Sequence, residues 1–203
     1  MKARVSALLL ASVWIGSAEA QTPSYGSPAQ QIAAAVSPLP ANLQGGARVL
    51  GYDASGKLVT LRAGTNDMIC LADDPAGKRF HVACYHKSLE PFMARGRELH
   101  ALKKSKEAID STRANDVKRG AYAMPSKPAA LYQYFASRDS VDVAKGAING
   151  AQYLYVIYMP YATYATTGIT ENPLEGGPWV MNPGLPWAHV MVLPQKTVSV
   201  TVK

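Results

Sequence analysis

Apolar and polar residues alternate along this chain with two different periods, and the two periods mark out its elements. Over residues 197–202, Val198, Val200 and Val202 are separated by polar residues, which predicts a strand with one buried face. In Leu89, Phe92, Met93, Gly96 and Leu99 the apolar positions recur every three or four residues, which predicts a helix whose stripe lies on a sheet. Ser88 is its expected cap, and Pro91 falls in the first turn, where proline is tolerated. A second helical segment, weaker in pattern, covers residues 105–117. Upstream, Ser27 as N-cap and Pro28 at the first helical position start a short helix that runs to Val36 and is ended by Pro38 and Pro40.

Residues 47–52 and 57–62 read as strands around the turn Asp53-Ala54-Ser55-Gly56. Residues 66–72 and 79–86 read as a second hairpin around the turn residues of 73–78. The simplest arrangement of these four strands is an antiparallel meander. Residues 120–128 are irregular. Later strands are expected at 131–137, 152–159 and 187–193, besides 197–202, with a long Pro- and Gly-rich loop at 166–186. Strands, then helices, then strands predict an α+β fold: a mainly antiparallel sheet, built from the N-terminal meander and the C-terminal strands, with helices packed on one face.

Residues 1–20 carry Lys2 and Arg4, an apolar run, and then Ala18-Glu19-Ala20, the pattern of a secretory signal peptide with its cleavage site. The apolar run is about a dozen residues, against the roughly 20 of a spanning helix. The expected organisation is therefore a signal at 1–20, a leader with a short helix at 21–45, and one α+β domain at 46–203. The mature chain is expected to be secreted or periplasmic, with no transmembrane segment. Export also sets the redox compartment of the two cysteines. If Asp74 opposes Phe80 in the second hairpin, Cys70 stands directly opposite Cys84, close enough for a cross-strand disulfide. The competing reading makes Cys84 a nucleophile beside His86.

The formal net charge is +7, interleaved with acidic residues rather than blocked. For an exported chain this points away from nucleic acid and toward an envelope component, a glycan or a small molecule. The sequence lacks G-x-S-x-G, S-x-x-K, H-E-x-x-H, C-x-x-C, an EF-hand loop and the glycine-rich nucleotide loops. No cofactor or metal is implied.

What remains is a set of candidates. His86 ends a strand just before the helix that bears Glu90, a pairing suited to proton transfer, and His189 is the candidate to complete such a site from a distant strand. His81 and His86 differ by an odd number along one strand and so point to opposite faces. Arg95 and Arg97 are candidate anion binders. Seven of the eleven tyrosines fall between Tyr132 and Tyr164; of these, Tyr153 and Tyr155 share a strand face, and Trp179 and Trp187 flank the long loop. Such rings can form a platform for sugars or peptides. The leading expectation is a non-catalytic, exported bacterial binding domain. The alternatives are an exported hydrolase or metal-dependent enzyme using His86, Glu90 and His189, and a structural or interaction protein of the envelope.

Overall fold

A computed structural model describes residues 25–142, 146–194 and 198–201. The expected signal peptide, and residues 21–24 of the leader, lie outside the described residues. No described helix is long and apolar enough to cross a membrane.

Helix α1 (Pro28–Val36) starts as its sequence requires. The Ser27 hydroxyl accepts the Gln30 N–H, and the Gln30 side chain accepts the Ser27 N–H in return. Its buried polar residue, Gln31, is fully used: the amide donates to the Tyr52 carbonyl at 2.8 Å and accepts the Tyr52 N–H at 2.8 Å. The helix is thereby tied to the end of the first strand. Ala35 and Val36 enter the core. A single turn, α2 (Ala41–Gln44), follows.

The sheet contains β1 (Arg48–Tyr52), β2 (Leu58–Arg62), β3 (Met68–Leu71), β4 (Phe80–His86), β5 (Ala129–Ala136), β6 (Val141–Asp142), β7 (Ala147–Tyr158), β8 (Pro178–Met181), β9 (His189–Val192) and β10 (Val198–Thr201). Its main order is β2-β1-β3-β4-β5-β7-β9-β8, with β6 and β10 pairing to β7. The fold is α+β with a mixed sheet, and two details of the expectation change. First, the N-terminal strands are not a meander. β3 runs parallel to β1 on the side away from β2. Residues 63–67 must therefore cross the chain entering β1, and the N–H groups of Thr65 and Asn66 both bond to the Gly46 carbonyl there. A Cβ on Gly64 would lie 2.7 Å from the Arg48 nitrogen, so the crossing needs glycine.

Second, helices occupy both faces of the sheet. Val49, Cys70 and Cys84 pack with α1, whereas Leu50, Ile69, Tyr85 and Leu131 pack with Leu89 and Met93 of the later helical layer. Adjacent strand residues face opposite ways, so these two clusters are two sides of one sheet. The second layer is α3 (Glu90–Ala101) with α4 (Lys106–Lys118), the latter capped by Ser105. The Leu89, Phe92, Gly96 and Leu99 stripe is buried as its spacing predicts. Ser88 is not its cap. It sits within a 3-10 turn, Lys87–Leu89, and the His86 ring accepts its N–H at 3.2 Å.

β8 falls inside the stretch read as a loop. Pro178 opens it and Asn182-Pro183 follows it, so its four residues carry loop signals on both sides. As an edge strand it accommodates a proline at its first position. A short helical turn, α5 (Tyr164–Thr167), precedes it.

The second hairpin keeps the expected register: Met68, Ile69, Cys70 and Leu71 pair with His86, Tyr85, Cys84 and Ala83. Cys70 and Cys84 are joined as a disulfide, and both are fully buried. The bond closes a loop with a sequence separation of 14, for which loop closure is worth about 3 kcal/mol. The double variant Cys70→Ala, Cys84→Ala is expected to remain folded in the same register and to lose about that much stability in urea unfolding. An unchanged urea midpoint would show that the bond does not constrain the unfolded chain.

Candidate functional site

The three residues read from the sequence as a catalytic set, His86, Glu90 and His189, each sit in a separate setting. The His86 Nδ1 faces the Ser88 hydroxyl at 2.8 Å, and its Nε2 lies 3.7 Å from Asp67. Glu90 accepts the Tyr85 hydroxyl at 2.5 Å and the Arg97 guanidinium at 2.7 Å. His189 is buried, with Nδ1 2.8 Å from the Trp187 carbonyl and its ring 5.0 Å from that of Tyr158. No hydrogen bond or ion pair joins any two of His86, Glu90 and His189. Among the described residues, no group of three or more His, Cys, Asp or Glu is placed to hold a metal ion.

Arg95 bonds to Glu98 and to the buried Asp116, whose other oxygen takes Arg119. Burial works to raise the Asp116 pKa, but the two guanidinium groups outweigh it and hold the carboxyl below its usual range. Arg97 completes a chain with Glu90 and Tyr85, and burial together with the Glu90 bond pushes the Tyr85 hydroxyl well up.

The aromatic residues divide between the two faces. Tyr132, Tyr134, Tyr153 and Tyr155 form a ladder across β5 and β7, with Tyr134 and Tyr153 in edge contact at 4.1 Å and joined through their hydroxyls. Trp179 is buried on the edge strand opposite Met191. Trp187 stacks on Phe92, which also takes the Arg113 guanidinium 3.2 Å from its centroid. The loop tryptophans therefore work largely inside the structure.

An open cavity of about 460 Å³ lies where the turn of the disulfide hairpin meets the end of β5. Its wall is a set of planar groups. The His81 ring stacks on Phe135 at 4.8 Å and 14°, and the Arg79 guanidinium sits 4.3 Å from the Phe135 centroid. His81 and Phe135 are direct partners in the β4 and β5 register, which is what brings the rings together. Tyr52 lines the same space, and burial with the nearby Asp74 and Asp73 carboxylates pushes its hydroxyl up to about 12.

The two acidic residues of the cavity are engaged. Asp73 accepts the His81 N–H and pairs with Arg138, and Asp74 accepts the Ala76 N–H. Lys78 and Arg79 form no ion pair among the described residues. The cavity thus offers a flat apolar wall and cationic side chains. His81 shares a 2.8 Å hydrogen bond with Gln133 and remains exposed on the solvent side of the wall.

The sequence reading did not single out Tyr52, Arg79, His81 or Phe135 as a group. His81 was visible only as the histidine facing away from His86, and its meeting with Phe135 depends on a long-range register. No protein-family model, curated protein or solved structure matches the chain significantly.

Burial holds His189 below 6.5, so the folded chain disfavours the protonated ring. As pH falls through 6.5 the unfolded chain takes up this proton before the folded one does, and stability is lost; above 6.5 it is fully present. The melting temperature is expected to fall between about pH 7.5 and pH 5, above the range where carboxylates titrate. His189→Gln, which keeps a donor for the Trp187 carbonyl, is expected to flatten that slope. An equal slope in this variant would remove His189 from the account.

Proposed function

We propose that the chain is an exported, non-catalytic binding domain that holds a small ligand bearing a planar group and a carboxylate in the cavity beside the disulfide hairpin. The observation that carries this reading is the wall of stacked planar side chains, Arg79, Phe135 and His81, bordering about 460 Å³ of open space. A planar ligand group packs favourably against such a wall. Lys78 and Arg79 supply the charge for a carboxylate; Asp73 is paired with Arg138, which leaves Asp74 as the one carboxylate of the lining without an ion pair.

Export is supported by the signal-peptide pattern of residues 1–20 and by the buried disulfide, a bond found mostly in oxidising compartments. The binding role is supported over catalysis by the separate engagements of His86, Glu90 and His189.

The test is an NMR titration with hippurate, which joins a phenyl ring to a carboxylate, run beside its uncharged amide. Hippurate is expected to shift the His81 and Phe135 resonances. The amide, and the variants Phe135→Ala and Arg79→Gln, are expected to bind at least about tenfold more weakly, as the loss of one stacking or charged contact implies. Unmoved His81 and Phe135 resonances would overturn the site. Equal affinity for the amide would overturn the carboxylate.

A further inference from the structure

Met159, Pro160, Tyr161 and Ala162 turn the chain out of β7, and the Ala162 N–H bonds to the Met159 carbonyl at 2.9 Å. Proline in the second position fixes its own φ near −65°, and Tyr161 in the third has φ +64°. That combination is a type II turn, whose third position normally holds Gly or Asn. A bulky aromatic residue there is a backbone outlier. It is held in place by its surroundings: the Tyr161 N–H bonds to the Leu185 carbonyl, the Gly184 N–H bonds to the Ala162 carbonyl, and Ala162 is buried. The ring gives little back to the fold, because Tyr161 is 57% exposed.

Backbone strain of this kind persists where a side chain is needed in a particular place. The Tyr161 ring borders a cavity of about 480 Å³ whose other walls include Tyr122, Met124, Pro125, Val117 and Pro160. None of its lining residues is charged, and its polar side-chain groups are the two phenols and the Ser126 hydroxyl. The segment that forms most of the wall carries exposed Lys118 and Lys127, besides Arg119, which is paired with Asp116.

From this we infer that Tyr161 walls a second docking site, one that takes an extended, proline-containing segment of a partner protein with acidic residues at its flanks. Prolines bring no N–H groups to a wall whose side chains offer three hydroxyls as their polar groups, and an extended proline segment packs its ridges between aromatic rings without losing much freedom. A sugar would need side-chain carboxylates or amides, which these walls do not have. Exposed Lys118 and Lys127, next in sequence to residues of the wall, select the charge of the flanks.

The probe is a synthetic peptide of six prolines with two glutamates at each end, compared with the same core between lysines and with chitotriose, and measured by fluorescence anisotropy or NMR on the purified protein. The glutamate-flanked peptide is expected to bind and to shift the Tyr161 and Tyr122 resonances, with the lysine-flanked peptide at least about tenfold weaker. Tyr161→Gly relieves the turn and removes the ring. It is expected to leave the melting temperature unchanged or raised while weakening the peptide at least about tenfold. Tyr161→Phe is expected to retain binding. A lowered melting temperature in Tyr161→Gly would make the ring structural and overturn the inference. So would undiminished peptide binding by that variant, absence of peptide binding, or chitotriose taking the site instead. Hippurate binding at the first cavity has its own resonances, so either site can fail without the other.

Discussion

β4 has to satisfy two helical layers at once, and the strict alternation of its side chains is the constraint on which the rest of the structure depends. Phe80, Val82 and Cys84 face α1, while His81, Ala83 and Tyr85 face the opposite side. A slip of one residue would exchange the two sets and put each row against the wrong layer. The register is secured on both edges, by the disulfide to β3 and by six residue pairs to β5. With β4 held, His81 must meet Phe135 and Tyr85 must meet the start of α3.

The helical layer on the Tyr85 side is fastened by charge as much as by apolar contact. Glu90, Arg97 and Tyr85 form one closed set of hydrogen bonds at the first turn of α3. Asp116 on α4 takes Arg95 from α3 and Arg119 from its own helix. Partly buried charges are tolerated when they are paired this way, and a missing partner leaves a desolvated ion. Arg113 is the departure: it relies on the Phe92 ring and the Phe92 carbonyl, and its buried Nε has no partner among the described residues. Arg95 and Arg97, read from the sequence as anion binders, are thus latches between elements, and their ligands are side chains of the protein itself.

Local signals in the sequence carried over well. The N-cap at Ser27, the apolar stripe from Leu89 to Leu99 and the hairpin pairing of Cys70 with Cys84 all depend on residues close in the chain. What was not legible depends on contacts made at a distance. The parallel placement of β3 beside β1 rests on a backbone crossing that Gly46 and Gly64 permit, and neither glycine announces this in its local context. β8 is a strand because β9 pairs with it, against its own Pro and Gly surroundings. The first cavity was hidden for the same reason. His81 and Phe135 are far apart in sequence, and only the β4 to β5 register makes them one wall. At Tyr161 only Pro160 hints at a turn, because the third position carries Tyr where Gly or Asn is usual. What the sequence withheld there is that the ring stays outside.

The two cavities lie at opposite ends of β5. Phe135 near its C-terminal end belongs to the first, and the segment from Val117 to Ser126, which leads into its N-terminal end, walls the second. Ala129 and Phe135 are six residues apart, about 20 Å of extended chain. β5 is paired along its length with β4 on one side and β7 on the other, so it is among the least deformable parts of the sheet. Coupling between sites needs a two-state element, and a strand paired on both sides is not one. The arrangement suits simultaneous, independent occupancy: a small molecule at the hairpin end and a partner segment at the Tyr161 end, carried on one rigid strand.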